Sequence, residues 1–135
     1  MNFIKHILWA TDYSDESQEA LLYADVFAKT FGARLSALHV VPDFSPVLAE
    51  SLPAIEAELA GRIQEASETA RARILEISRS RGITFDGVLV MKGSPARAIC
   101  EAANKAKADL IVIGPAGATA GARTAIGSVA NQVLR

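Results

Sequence analysis

Four short, nearly continuous apolar runs alternate with longer stretches of helical spacing, and this alternation limits the fold more than any other feature. Ile4–Ala10 reads as a strand, with Ile7, Leu8, Trp9 and Ala10 apolar in succession, as expected where both faces are covered. Arg34–Val41 is a second strand, stopped by Pro42. Ile83–Met91 is a third, whose start Asp86-Gly87 could bend or delay, and Leu110–Ile113 is a fourth, ending at Gly114. Helical patterns lie between them. Ser14 is placed to cap the first helix, Asp15 and Glu16 sit in its opening turn, and Gly32 is placed to end it. Its expected buried stripe is Leu21, Ala24, Phe27, Ala28 and Phe31. After a proline-bearing loop from Pro42 to Pro53, Ile55, Leu59, Ile63, Ala66, Ala70, Ile74 and Ile77 recur every three or four residues up to Gly82. Ser94-Pro95 pairs a capping hydroxyl with proline at the first helical position and opens a helix to Lys107, burying Ile99, Ala102, Ala103 and Ala106. A last helix begins near Ser128. Strands joined through helices are βαβ crossovers, which predicts an open parallel sheet in a three-layer α/β sandwich, one domain over residues 1–135.

Charge and cysteine usage narrow the function classes. The chain carries 14 basic and 15 acidic residues, a formal charge of −1, so no basic excess is available to neutralise a nucleic-acid backbone. The single cysteine, Cys100, excludes an intramolecular disulfide, fits a reducing compartment, and on its helix reads as a buried small apolar side chain. The amino terminus has no apolar stretch of signal-peptide length. The longest uncharged run, Leu110–Ala122, is 13 residues and contains Pro115 and several glycines, whereas a bilayer span takes about 20 apolar residues. A soluble, cytoplasmic protein with no membrane association is expected.

In an open parallel sheet, ligands bind beyond the carboxyl ends of the strands, where the strand order reverses. The strand ends here are Ala10-Thr11-Asp12, Val41-Pro42, Lys92-Gly93 and Gly114, and the first and last are chemically richest. Gly114-Pro115-Ala116-Gly117 is followed nine residues later by Gly127-Ser128. Glycines let backbone amides approach an anion, and Gly127-Ser128 opens a helix whose free amides favour a phosphate. The same glycines could equally serve a tight turn, with Ser128 only a cap. Asp12 reads either as an acceptor for the adenosine part of a nucleotide, as an organiser of a metal near the phosphates, or as a turn residue before Ser14.

The Gly-x2-Gly-x9-Gly-Ser pattern after a buried strand resembles the ATP-binding signature of the universal stress protein family. Ile7-Leu8-Trp9-Ala10-Thr11-Asp12-Tyr13-Ser14 looks like that family's first strand and acidic turn, Leu38-His39-Val40-Val41 like the end of its second strand, and Asp109-Leu110-Ile111-Val112-Ile113-Gly114 like its fourth. The resemblance covers essentially the whole chain. It implies a Rossmann-like fold of the adenine nucleotide alpha-hydrolase type, with strands 1 and 4 side by side in the order 3-2-1-4. It further implies that Ala10, Thr11, Asp12 and Val40 hold the adenosine of ATP. Ile113, Gly114 and Gly117 would lie beside ribose and phosphate, and Gly127, Ser128, Val129 and Ala130 would take the β- and γ-phosphates. Mg²⁺ or Mn²⁺ would accompany the triphosphate rather than sit in a protein cage.

Two departures from the family pattern bear on these expectations. Pro115 and Ala116 stand where the family usually has a small hydroxyl residue and then a basic or polar one, which removes an amide and a polar contact; Arg123 could compensate by reaching a phosphate. The family chain also usually continues into a fifth apolar strand that often pairs across a homodimer, and here the sequence stops at Val133-Leu134-Arg135, so the expected sheet lacks that strand. The resemblance implies stress signalling through a nucleotide-dependent change of loop or partner. The alternative is a degenerate domain that binds only protein partners.

Other chemistries are poorly represented. No Gly-x-Gly-x-x-Gly follows the first strand and no Gly-x4-Gly-Lys-Ser/Thr occurs, which argues against dinucleotide and Walker-type sites. His6 and His39, both in strand patterns, lack a neighbouring ligand at metal-binding spacing. Rapid phosphoryl transfer needs a positioned base and a cation at the γ-phosphate, and beyond Asp12 and Arg123 the loop offers neither, so slow ATP hydrolysis at most is expected. The charged face Arg62, Glu65, Glu68, Arg71, Arg73 and Glu76 reads as solvated surface.

Overall fold

The computed structural model of the protein describes residues 4–41 and 56–114. The elements are β1 (His6–Ala10), α1 (Asp15–Phe31), β2 (Arg34–Val41), α2 (Glu56–Arg81), β3 (Gly87–Lys92), α3 (Pro95–Ala106) and β4 (Leu110–Val112). All strand pairs are parallel and the order is β3-β2-β1-β4, as the resemblance implied. The Pro42–Pro53 loop, the last helix near Ser128 and any fifth strand lie outside the described residues.

Alternation along the strands sends side chains to opposite faces. Ile7, Trp9, Leu35 and Ala37 pack under α1 and α2 against Leu21, Ala24, Ala28 and Ile74. Leu8, Ala10 and Leu38 pack on the other face against Ile99, Ala102 and Ala103 of α3. Trp9, Ile7, Leu8, Leu21, Leu38 and Ile74 are fully buried, and truncating one of the aliphatic residues to alanine costs about 2–5 kcal/mol. Alanines dominate α3's buried face, which brings that helix close to the sheet without bulky spacers.

Helix α1 begins and ends where its sequence predicts. Ser14 is the N-cap, its hydroxyl accepting from the Ser17 amide, and Gly32 closes the helix in the left-handed region at φ 65°. Elsewhere the periodicity misleads. Phe27, expected in the buried stripe, is 40% exposed beside Leu22, Tyr23 and Val26, because α1 is apolar on more than the face that meets the sheet. Ala66 is exposed and only the later part of α2, from Ala70 to Ile77, lies on the sheet. Cys100, expected buried, projects from α3 into solvent. The third strand starts at Gly87 rather than Ile83, with the Asp86 amide donating to the Leu35 carbonyl just ahead of it. Ser94 occupies the N-cap of α3, yet its hydroxyl makes no capping bond.

The amino-terminal edge of the sheet is held by a polar network. His6 is buried; its Nδ1 lies 3.0 Å from the Ala106 carbonyl and its Nε2 2.7 Å from Ser36 Oγ. A carbonyl only accepts, so Nδ1 carries the proton and Nε2 accepts from the serine hydroxyl. Asp109 Oδ2 accepts from the backbone amides of Lys5 (2.8 Å) and His6 (3.1 Å), tying the entry of β4 to the entry of β1. Those two amides hold the Asp109 carboxyl below the usual carboxylate range.

Candidate functional site

The carboxyl ends of β1 and β4 lie side by side, Trp9 pairing with Val112. Ala10 and Thr11 are buried, Asp12 is exposed, and Val40, Ile113 and Gly114 are half-buried around them. The structure therefore brings six of the eleven expected nucleotide-site residues to the same edge. Gly117, Gly127, Ser128, Val129 and Ala130 lie outside the described residues, as do Pro115, Ala116 and Arg123.

Thr11 is spent on structure. Its amide donates to the Leu38 carbonyl, its hydroxyl bonds Ser17 Oγ at 2.8 Å, and the same hydroxyl accepts from the Tyr13 amide at 2.9 Å. Asp12 Oδ1 accepts from the Ser14 amide at 3.0 Å, a turn closed by the side chain. Ser17 ties the junction together: its amide and hydroxyl engage Ser14, and its carbonyl accepts from Trp9 Nε1 at 2.8 Å. Gly114 abuts the same turn. A Cβ at that position, two residues beyond β4, would meet the Glu16 carbonyl carbon and the Ser17 nitrogen at 3.0 Å, so a larger residue would require α1 to shift by a few tenths of an ångström. That constraint comes from helix packing.

Three residues that sequence reasoning did not assign to the site complete the edge. Tyr13 adopts φ 69°, a left-handed conformation that costs an aromatic residue about 1–3 kcal/mol. Its ring stacks on His39 with centroids 4.4 Å apart, and the Arg73 guanidinium of α2 lies over the ring at 3.9 Å. The Tyr13 hydroxyl is buried with no hydrogen-bond partner among the described residues. Burial pushes its pKa up to about 12, partly opposed by the Arg73 charge. His39 Nδ1 donates to the Thr11 carbonyl at 2.8 Å. Burial lowers the His39 pKa below the ordinary histidine value and Arg73 lowers it further, while the Thr11 bond and the Asp12 charge pull the other way. The charged face of α2 is thus not wholly solvated: Arg73 engages Tyr13, and Arg71 donates to the Val88 carbonyl at 2.8 Å. A tyrosine at positive φ leaves no trace in composition or periodicity; a basic residue one helical turn from Ile77 and next to buried Ile74 was the only available hint.

The two histidines cannot share a metal. His6 pairs with Arg34, and His39 lies five residues further along β2, roughly 16 Å away. No group of three or more metal-ligating side chains occurs among the described residues. No helix among them is long and apolar enough to cross a membrane.

Comparison with known proteins places this architecture. Residues 4–135 match the model of the universal stress protein family. Universal stress protein MJ0531 of Methanocaldococcus jannaschii is 36% identical over 137 residues, covering 99% of this chain and 78% of that protein. The solved structure of universal stress protein UspA from Lactobacillus plantarum superposes with a TM-score of 0.71 at 28% identity, over 97% of this chain and 90% of that one. A universal stress protein crystallised in complex with cAMP superposes with a TM-score of 0.60 at 26% identity, over 98% of this chain and 89% of that one.

Proposed function

The chain belongs to the universal stress protein family, and from that premise we propose that it binds an adenine nucleotide, ATP with Mg²⁺ or Mn²⁺, at the carboxyl ends of β1 and β4. One observation carries the reading: β1 and β4 end side by side, and the Asp12 turn stands at that edge. The donor set suits an adenosine. A carboxylate accepts from a ribose hydroxyl or an exocyclic amine, and the half-buried Val40 and Ile113 offer apolar surface at the same edge. The phosphate half of the proposal rests on the Gly114, Gly117, Gly127 and Ser128 spacing and on the family resemblance. Bound nucleotide would supply a charge-bearing effector whose presence changes the surface seen by a protein partner or a second copy of the chain, in a cytoplasmic stress response. Hydrolysis is at most slow.

Calorimetric titration of Mg²⁺-ATP into protein stripped of nucleotide tests this. Micromolar binding, lost in Gly117→Val with folding retained, is expected. Wild-type affinity in that variant would overturn the loop assignment, and no heat at millimolar ATP would overturn the nucleotide reading and leave the protein-interaction module. Because a relative was crystallised with cAMP, the same titration with cAMP decides whether the site favours a triphosphate or a cyclic monophosphate.

A further inference from the structure

We infer that His39 and Arg73 are positioning residues which, through the ring of Tyr13, clamp the Thr11–Asp12 turn, and that adding a proton to His39 opens the clamp. The inference rests on the proposal that this edge takes a nucleotide, since it concerns how the turn presenting Asp12 is held.

The geometry begins with a cost that something must offset. Tyr13 sits in the left-handed region, inside the turn that Asp12 closes by accepting from the Ser14 amide. Contacts from other elements add to that turn. His39 reaches from β2 to stack on the ring and to donate to the Thr11 carbonyl, Arg73 reaches from α2 to lie over the ring, and Thr11 Oγ1 accepts the Tyr13 amide. Gln18 Nε2 donates to the Tyr13 carbonyl at 3.3 Å. Turn, strand and helix therefore meet on one ring three residues beyond the end of β1.

The clamp is closed around a neutral imidazole. Among the described residues, the groups facing His39 are Asp12 from the turn, whose charge favours an imidazolium; Arg73 from α2, whose charge opposes it; Tyr13, un-ionised at neutral pH; and, across the sheet, uncharged Val90 of β3. Burial adds to the opposition of Arg73 and outweighs Asp12, so the closed cluster holds the proton less well than a solvated histidine does. Linkage then fixes the direction. A proton that binds the closed form weakly must favour the open one, so the clamp is complete above about pH 6.5 and loosens as the pH falls below it.

The test reads the turn in the protein without nucleotide. Backbone amide exchange of Tyr13, whose acceptor is a hydroxyl and does not titrate, is compared by NMR at about pH 7.5 and about pH 5.5, with the Leu8 amide as a measure of global opening. Expected is a roughly fivefold loss of Tyr13 protection on acidification, with Leu8 little changed. In His39→Gln, which keeps a donor for the Thr11 carbonyl, the pH effect should fall below about twofold. Arg73→Gln, a change at an exposed position of α2, should shrink the loss by easing protonation of the closed form, with its onset still near about pH 6.5. A pH-independent Tyr13 amide, equal losses at Tyr13 and Leu8, or an unchanged response in His39→Gln would each overturn the clamp. Mg²⁺-ATP affinity at the same two pH values should weaken on acidification more in wild type than in His39→Gln, a comparison that cancels the nucleotide's own titration. An intact amide response with no ATP binding at either pH would overturn the nucleotide reading alone.

Discussion

The two edges of the sheet each carry a histidine and an aspartate, and use them differently. At the amino edge, His6 is buried with both ring nitrogens engaged, and Asp109 accepts two backbone amides that join β1 to β4. At the carboxyl edge, His39 is half-buried with Nδ1 bonded to Thr11, and Asp12 closes the turn of a tyrosine in a strained conformation. Each edge has one non-glycine residue in the left-handed region, Lys107 (φ 55°) beside the amino-edge network and Tyr13 (φ 69°) at the carboxyl edge, and the amino edge uses its polar groups to hold strands together. At the carboxyl edge the left-handed residue is an aromatic one, packed between His39 and Arg73 rather than closing a helix.

Substitutions should separate the two edges, the greatest effect coming first. His6→Ala should lower stability by about 3 kcal/mol in urea denaturation, since it leaves the Ser36 hydroxyl and the Ala106 carbonyl without their partner in a buried site. His39→Ala, at a half-buried position, should cost about 1 kcal/mol. Equal losses would erase the distinction. Gly114→Ala should cost about 2 kcal/mol by forcing α1 away from the end of β4, and a stable variant would show that this edge is looser than the 3.0 Å approach implies. Ser14→Ala removes the α1 cap and should cost about 1 kcal/mol.

Titration sharpens the same contrast with smaller signals. Asp109 has a lowered pKa, so its contribution to stability is full above the ordinary carboxylate range and disappears only as the pH falls through its own lower value. His39 also has a lowered pKa, but as a base it begins to lose its contribution below about pH 6.5. On acidification the carboxyl edge should loosen well before the amino edge, which residue-resolved amide exchange would follow. At alkaline pH, Tyr13 favours the folded state until it ionises, so its contribution is lost between the ordinary tyrosine value of 10.0 and about 12. In Tyr23→Phe, which leaves Tyr13 as the sole tyrosine, phenolate absorbance should rise only near pH 12.

Much of the fold was legible because single residues announce it. Ser14 and Gly32 bracket α1, Pro95 opens α3, and the four apolar runs are all strands. The misplaced residues fail for a shared reason: where a helix is apolar beyond the face it buries, spacing cannot say which face that is. Leu22, Tyr23, Val26 and Phe27 of α1 are exposed although they keep helical spacing with one another. Strand-end position and resemblance pointed to Ala10, Thr11, Asp12, Val40, Ile113 and Gly114, and these stand together at the carboxyl edge. Neither pointed to Tyr13, Arg73 or Ser17. Their roles depend on a backbone torsion and on contacts between α2 and the β1–α1 turn, and neither kind of information is local in sequence.

The pairing of Ile7 with Leu110 has a consequence for how the molecule forms. β1 is central, yet its two neighbours reach it from very different distances along the chain. β2 arrives after one helix and can form a local unit with β1, whereas β4 must close a loop of about a hundred residues. Until that closure, the unpaired side of β1, with Ile7 and Trp9 near it, is an open template for any other strand. Docking of β4 is therefore the step at which assembly competes with aggregation, and the Asp109 carboxylate, which grips Lys5 and His6 as β4 arrives, is positioned to decide that competition.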